Sequence, residues 1–176
     1  MNFAKVASFL EKVDNKLPWI TINPRRDFET FCIQNFDIHF SAVDYEAPCQ
    51  IWKESDYFKV GLMPDFCSVS ELLQSHPRIK GNCNLLLFWQ LPYHNSTDIE
   101  AIGQLHPKTI VAAYEQTGLY GSYGFHSWLQ WIGGPTSSIH QPERFPTIYP
   151  YKVVEKFESV YQNCMFPACI LAERVK

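Results

Sequence analysis

The residues that could do chemistry in this sequence follow the ends of apolar runs. Gln90, Pro92 and Tyr93 come directly after the apolar run 84–89, within the stretch Gln-Leu-Pro-Tyr. Gln90 carries both a carbonyl acceptor and an amide donor, and the ring of Tyr93 has a face on which a planar ligand can stack. This pattern predicts contact with a ligand. The alternative interpretation is an ordinary turn that ends a strand with a half-buried tyrosine.

Two acids also stand at the ends of runs that read as strands. Asp44 ends the alternating run 37–44, and an acid in that place in a nucleotide-binding α/β fold accepts hydrogen bonds from the two hydroxyls of a ribose. An aspartate at a strand end is also a common turn residue, so that alternative stays open. Glu115 ends the apolar run 109–114. It is either an acid or base in a reaction or, as the sequence favours, a cap for the N–H groups of the glycine-rich loop that follows.

These residues must be positioned by a sheet with helices between its strands. The runs 84–89 and 109–114 are short and almost wholly apolar, as in strands that are covered on both faces. The segment 98–105 between them reads as a helix. We therefore expect two adjacent parallel strands with a right-handed crossover and with Leu86 buried. Ligands bind beyond the carboxyl ends of such strands, which is where the polar residues lie.

The rest of the chain supplies further amphipathic and alternating segments. Helices are predicted over residues 1–16, 28–34, 66–76 and 125–132, and strands over 37–44, 153–161 and 168–175. Residues 17–26 read as an irregular connector in which 19–22 can form a short first strand, and 57–60 can form another short strand. The segment 136–151 is predicted to be a long surface loop. The fold class is therefore α/β, a three-layer Rossmann-like domain with a mostly parallel sheet and a terminal antiparallel hairpin. One domain is expected over residues 1–176, with an N-terminal helix and connector over 1–26.

The composition argues against several classes of function. The net charge is −3 and there is no basic run, so no dedicated nucleic-acid surface is expected. The sequence has no stretch of about 18 apolar residues that could span a membrane, and residues 1–16 carry too many charges for a signal peptide. Six scattered cysteines without a Cys-x-x-Cys pair indicate reduced thiols and a cytoplasmic location.

Other groups of reactive side chains have weaker patterns. His94, His106, His126 and His140 do not have the spacing of metal ligands, so no metal is expected. Cys83 with His126 would suit a nucleophile and its base. However, Cys83 precedes an apolar strand, and a thiol buried in apolar surroundings is inert.

The order of these elements resembles the later part of the class I S-adenosylmethionine-dependent methyltransferases. It is most similar to a group of small methyltransferase-like proteins with the signature Leu-Leu-Leu-Ser-Trp-Pro-Pro-Tyr. The matching segments are 85–93, 114–115 and 40–48, followed by glycines and Phe125. The resemblance implies that Asp44 binds the cofactor ribose. It also implies that Gln90, Pro92, Tyr93 and Glu115 form the catalytic set, in which the loop after the central strand holds a target amine.

One departure from that family decides the predicted function. The methyltransferases carry a glycine-rich loop after their first strand, where the backbone touches the cofactor. The corresponding residues here, 18–26, contain no glycine, and none occurs before Gly61. A side chain there stands where the cofactor should be, so we expect residues 19–26 to fill part of the pocket. The sequence predicts a degenerate pseudoenzyme that binds no cofactor and interacts with a protein or with a second copy of itself. The alternative is an active methyltransferase that uses S-adenosylmethionine on an amine.

Overall fold

The computed structural model describes residues 3–24, 27–45, 64–88, 96–116, 121–135, 150–158 and 167–175. In these ranges the chain forms, in order, α1 Phe3–Leu10, β1 Trp19–Ile22, α2 Asp27–Phe36, β2 Phe40–Val43, β3 Pro64–Phe66, α3 Val69–Ser75, β4 Asn84–Phe88, α4 Thr97–Leu105, β5 Thr109–Glu115, α5 Tyr123–Ile132, β6 Tyr151–Glu158 and β7 Pro167–Arg174. A short 3-10 turn, Pro77–Ile79, lies between α3 and β4.

The strands form one mixed sheet in the order β3-β2-β1-β4-β5-β7-β6. The first five strands run parallel, and β7 pairs antiparallel with both β5 and β6. The expected pair of central strands is confirmed, since Leu85 lies opposite Ile110 and Leu86 opposite Val111 in a parallel register. The short first strand and the terminal hairpin are confirmed as well.

Two hydrophobic cores cover the two faces of the sheet, which gives the three layers. Leu85 and Leu87 of β4 belong to the core that includes residues of α3, α4 and α5. Leu86 and Phe88 point the other way, into the core that includes α1 and α2. All five residues of β4 are buried, because each face of the strand carries a helix layer. This two-sided burial explains why the strand reads as one continuous apolar run.

Within the described residues, three boundaries differ by three or more residues from the sequence-based expectations. The first helix ends at Leu10 instead of continuing to residue 16. Phe66 lies in β3 and not in the following helix, because Ser68 accepts the N–H of Glu71 and starts α3 at Val69. Asp37 has a φ of 52°, so the chain turns there and β2 begins three residues later than predicted.

The cysteines correct one expectation. Cys32, Cys83 and Cys169 are free and fully buried, and burial raises the pKa of Cys32 and of Cys83 to about 12. Cys67, by contrast, is disulfide-bonded, so the six thiols are not all reduced. The bonded Cys67 lies exposed in the turn between β3 and α3, whereas the three free thiols are enclosed in the cores.

No helix in the described ranges has both the length and the apolar character needed to cross a bilayer. The expected strand 57–60 and residues 136–149 of the expected loop 136–151 lie outside the described residues. Tyr151 does not belong to that loop, because it is the first residue of β6 and pairs with Arg174.

Candidate functional site

The direction of the chain reverses across the sheet between β1 and β4, which are neighbours in space. From β1 the chain goes outward to β2 and β3, and from β4 it goes the other way to β5. In open α/β sheets the crevice outside the carboxyl ends of the strands at such a switch point is the usual ligand site. The carboxyl ends of β1, β2 and β4 therefore define the candidate site.

The structure places both predicted acids at this edge of the sheet, but not together. Asp44 follows β2 directly, is 5% exposed, and donates its backbone N–H to the carbonyl of Phe66 at 3.0 Å. Glu115 is the last residue of β5 and is fully buried. Since β1 and β4 lie between their strands, the two strand ends are roughly 14 Å apart. Gln90, Pro92 and Tyr93 lie outside the described residues.

Asn23 is a site residue that the sequence did not reveal. It follows β1 with a φ of 46°, a left-handed conformation that asparagine tolerates better than most residues with a side chain. Its backbone N–H donates to Val43 at 2.7 Å, and its Oδ1 accepts the N–H of Tyr45 at 3.0 Å. Its Nδ2 donates to Oγ1 of Thr97, at the start of α4, at 3.2 Å. The side chain of Asn23 thus bridges the switch point from β1 to the helix that follows β4.

The side chain of Tyr45 extends the same network toward α3. Its hydroxyl oxygen accepts the N–H of Val69, the first residue of α3, at 3.1 Å. The pKa of Tyr45 is raised above its ordinary value, mainly because the hydroxyl is buried. The hydrogen bond from Val69 opposes this shift, and the charge of Glu100 adds to it. The first N–H groups of a helix are donors that often bind ligands, and here the protein's own hydroxyl occupies one of them.

A second network joins the starts of α4 and α5 at the same edge. Asp98 is 1% exposed and accepts the N–H of Ser122 at 2.7 Å, the hydroxyl of Ser122 at 2.6 Å and the N–H of Ile99 at 2.6 Å. Burial raises the pKa of Asp98, although the three donors act against that shift. Ser122 in turn accepts the N–H of Phe125 and caps α5. Asp98 therefore fixes the turn into α5 against α4.

The remaining reactive side chains do not form a second site in the described part of the chain. Cys83 is buried at the amino end of β4, whereas His126 lies near the start of α5 at the carboxyl edge, so the two do not form a nucleophile and base. The ring of His126 packs at 6.1 Å from that of Tyr114. No three His, Cys, Asp or Glu side chains among the described residues are arranged to hold a metal ion.

No protein-family model and no curated protein matches this sequence. Among solved structures, the chain is similar to a tRNA methyltransferase from Bacillus subtilis, with a TM-score of 0.55 and 10% identity over 99% of this chain and 65% of that chain. It is also similar to an rRNA methylase from Streptococcus thermophilus, with a TM-score of 0.57 and 12% identity over 100% of this chain and 98% of that chain. A third similar structure is magnesium protoporphyrin IX methyltransferase from Synechocystis with bound S-adenosylhomocysteine, with a TM-score of 0.55 and 12% identity over 98% of this chain and 81% of that chain. These likenesses show that the chain has the Rossmann-like fold of S-adenosylmethionine-dependent methyltransferases, as the resemblance implied.

Proposed function

We propose that this chain is a degenerate methyltransferase-like protein that does not transfer methyl groups and acts as a binding or interaction module. The observation that carries the proposal is the side chain of Asn23, which bridges β1 to Thr97 across the switch point. A cofactor in that crevice needs a backbone that it can approach closely and donors that it can use. In this chain a side chain occupies the approach, and the N–H groups of Asn23, Tyr45 and Val69 already have acceptors.

The free energy needed to open the crevice bears on whether a cofactor can bind there. Opening the network of Asn23 and Tyr45 breaks three hydrogen bonds: Tyr45 N–H to Asn23, Asn23 to Thr97, and Val69 N–H to the Tyr45 hydroxyl. Each contributes about 1 kcal/mol net, so their loss costs about 3 kcal/mol. That cost weakens a dissociation constant by more than about 100-fold.

The surface of α5 supports an interaction role. Tyr123 is 52% exposed and Trp131 is 64% exposed, whereas Tyr114, Phe125 and Trp128 are buried in the core. Large aromatic residues are enriched in the centres of protein interfaces. The aromatic residues that the sequence groups around α5 are therefore partly core and partly surface.

The second candidate function is an active S-adenosylmethionine-dependent methyltransferase that acts on an amine. The position of Asp44 favours it, since a nearly buried acid follows β2 in the place where the similar family binds the cofactor ribose. In this alternative Asn23 moves aside when the cofactor enters, Asp44 accepts the ribose hydroxyls, and Gln90, Pro92, Tyr93 and Glu115 act on the substrate.

Calorimetry and thermal unfolding with S-adenosylmethionine and S-adenosylhomocysteine separate the two functions. We expect no heat of binding and no change in Tm for the wild-type protein. A ligand at a hundredfold excess over its Kd would stabilise the fold by about 2.7 kcal/mol, which is a shift of about 5–10 °C for a chain of this length.

Two variants sharpen this test. Asn23→Gly removes the bridge and suits the left-handed φ, so binding by this variant alone would identify Asn23 as the block. Asp44→Ala is the control for the alternative. A clear shift in the wild-type protein that Asp44→Ala abolishes would show cofactor binding at Asp44 and favour the active methyltransferase instead.

A further inference from the structure

A group of basic side chains lies at the opposite edge of the sheet, where β4 and β5 begin and β7 ends. We call this group the basic ridge, and its members are Arg78, Lys80, Lys108 and Arg174. The guanidinium of Arg174 donates to the carbonyl of His106 at 2.7 Å and to that of Gly81 at 3.2 Å. Its backbone N–H donates to the carbonyl of Lys108 at 3.0 Å. These contacts bring the segments that carry the four cations to one place.

The positive charge of the ridge is not offset by these contacts. Arg174 uses its guanidinium donors on backbone carbonyls, which carry no net charge. Arg78, Lys80 and Lys108 are exposed. The electrostatic field of the ridge reaches His106. Burial is the largest cause that lowers the pKa of His106, and the charges of Lys80 and Arg174 lower it further. The chain as a whole has more acidic than basic residues, 18 against 15, whereas all four members of the ridge are cationic.

A groove with an apolar lining runs beside the ridge. We call it the amino-edge groove; it has a volume of about 480 Å³, and Pro18, Pro77 and Ile79 contribute its apolar walls. Arg78 and Asn82 also line it. Asn82 donates its backbone N–H to Ile79 at 2.8 Å and its side-chain Nδ2 to the carbonyl of Arg78 at 3.2 Å. The segment 77–82 is thus held in shape, and it presents the groove and part of the ridge together.

The amino-edge groove and the basic ridge together determine which kind of ligand fits this surface. A groove walled by proline and isoleucine takes an apolar side chain, and a row of cations attracts carboxylates. We propose that the amino-edge groove and the basic ridge bind an acidic peptide segment of a protein partner. An apolar side chain of that segment lies in the groove and its carboxylates lie on the ridge. This proposal rests on the proposed role as an interaction module and places that role at the edge opposite the cofactor crevice.

Fluorescence anisotropy with labelled synthetic peptides tests the proposal. The probe peptide carries one leucine flanked on both sides by glutamates, one control replaces the leucine by serine, and another replaces the glutamates by lysines. We expect the wild-type protein to bind the first peptide and neither control. Lys80→Glu should weaken binding about ten-fold, because the change removes an attraction and adds a repulsion of similar size. Lys156→Glu changes the charge equally on exposed β6 and should leave the affinity unchanged.

Several outcomes would overturn the proposal. Equal loss with Lys80→Glu and Lys156→Glu would show attraction to overall charge and no site. Tighter binding of a single-stranded RNA oligonucleotide would show that the ridge recognises phosphates. A dimer in sedimentation that Lys80→Glu dissociates would assign this edge to a second copy. The peptide titration is run without and with S-adenosylmethionine, so cofactor binding would count against the proposed function while the peptide result is judged separately.

Discussion

At the scale of single residues, the carboxyl edge is organised by side chains that the protein uses on itself. Asn23 and Tyr45 take up donors around the switch point, and Asp98 takes up three donors between α4 and α5. A buried polar group is expensive unless it is hydrogen-bonded, so each of these contacts holds the loops in one arrangement. The edge that builds the ligand site in similar folds is therefore stabilised in this chain without a ligand.

The raised pKa of Asp98 makes a prediction about stability and pH. Because the folded-state pKa lies above the ordinary value of 3.8, the contribution of Asp98 to stability is complete below that value. It declines as the pH rises through the folded-state pKa. The free energy of unfolding, measured by urea denaturation, should therefore fall as the pH rises above the ordinary value of 3.8, relative to Asp98→Asn, which does not titrate. A difference between the two proteins that does not change as the pH rises would contradict the prediction.

At the scale of elements, the helices are set by caps and the strands by their neighbours. Ser68 starts α3 by accepting the N–H of Glu71 at 3.1 Å, and the Glu71 carboxylate accepts the N–H of Cys67 at 2.7 Å. β6 is an edge strand with a bulge between Val153 and Glu155. A bulge on an edge strand prevents regular pairing with another chain. An interface through that edge is therefore disfavoured.

The cap of α3 gives a second prediction. Ser68→Ala removes the acceptor for the N–H of Glu71 and should lower the free energy of unfolding by about 1 kcal/mol. The corresponding fall in Tm is about 2–4 °C. Ser75→Ala, at the exposed last position of the same helix, is the matched control and should change the Tm little. Equal melting of the two variants would mean that the cap does not stabilise α3.

Strands that are buried on both faces can be predicted from the sequence. Features that depend on contacts between residues far apart in the sequence cannot. β4 and β5 are predictable because both faces carry apolar residues. β3 has only three residues and is defined by its pairing with β2, so no local pattern reveals it. Asn23 is missed for a similar reason, since its side chain binds residues 22 and 74 positions away. The dipeptide Asn23-Pro24 after an apolar run is the one local signal of a turn there.

At the scale of the whole molecule, the N-terminal helix is joined to the edge of the sheet. Lys12, just after α1, forms a salt bridge with Glu155 of β6 at 2.6 Å across 143 positions of sequence. Both side chains are partly exposed, with 50% of the Lys12 and 39% of the Glu155 side-chain surface accessible. An exposed pair contributes little, because water and salt screen it. The packing of α1 on the core through Phe9 and Leu10 must therefore hold the helix in place.

A double-mutant cycle tests whether the packing of α1 stabilises the fold more than the salt bridge between Lys12 and Glu155 does. Lys12→Ala and Glu155→Ala, singly and together, should give a coupling free energy between 0.2 and about 1 kcal/mol that shrinks at high salt. Leu10→Ala is the comparison, because its fully buried side chain should cost about 2–5 kcal/mol on truncation. The measurement is chemical denaturation of the wild type and the four variants at low and high ionic strength. A coupling larger than the cost of Leu10→Ala would reverse the argument.

The position of β7 has a consequence for how the chain acquires its structure over time. Among the described strands β7 comes last in sequence, yet it lies inside the sheet and pairs with β5 on one side and β6 on the other. Until β7 is synthesised, β5 has a bare edge and β6 has no strand to pair with. Residues 109–115 are all buried in the finished fold, so a nascent chain exposes an adhesive apolar edge during that interval. The rate of translation up to and through β7, and any chaperone that binds the exposed edge of β5 in that interval, should therefore affect the yield of folded protein. We expect this effect to be larger than that of the stability of the finished molecule.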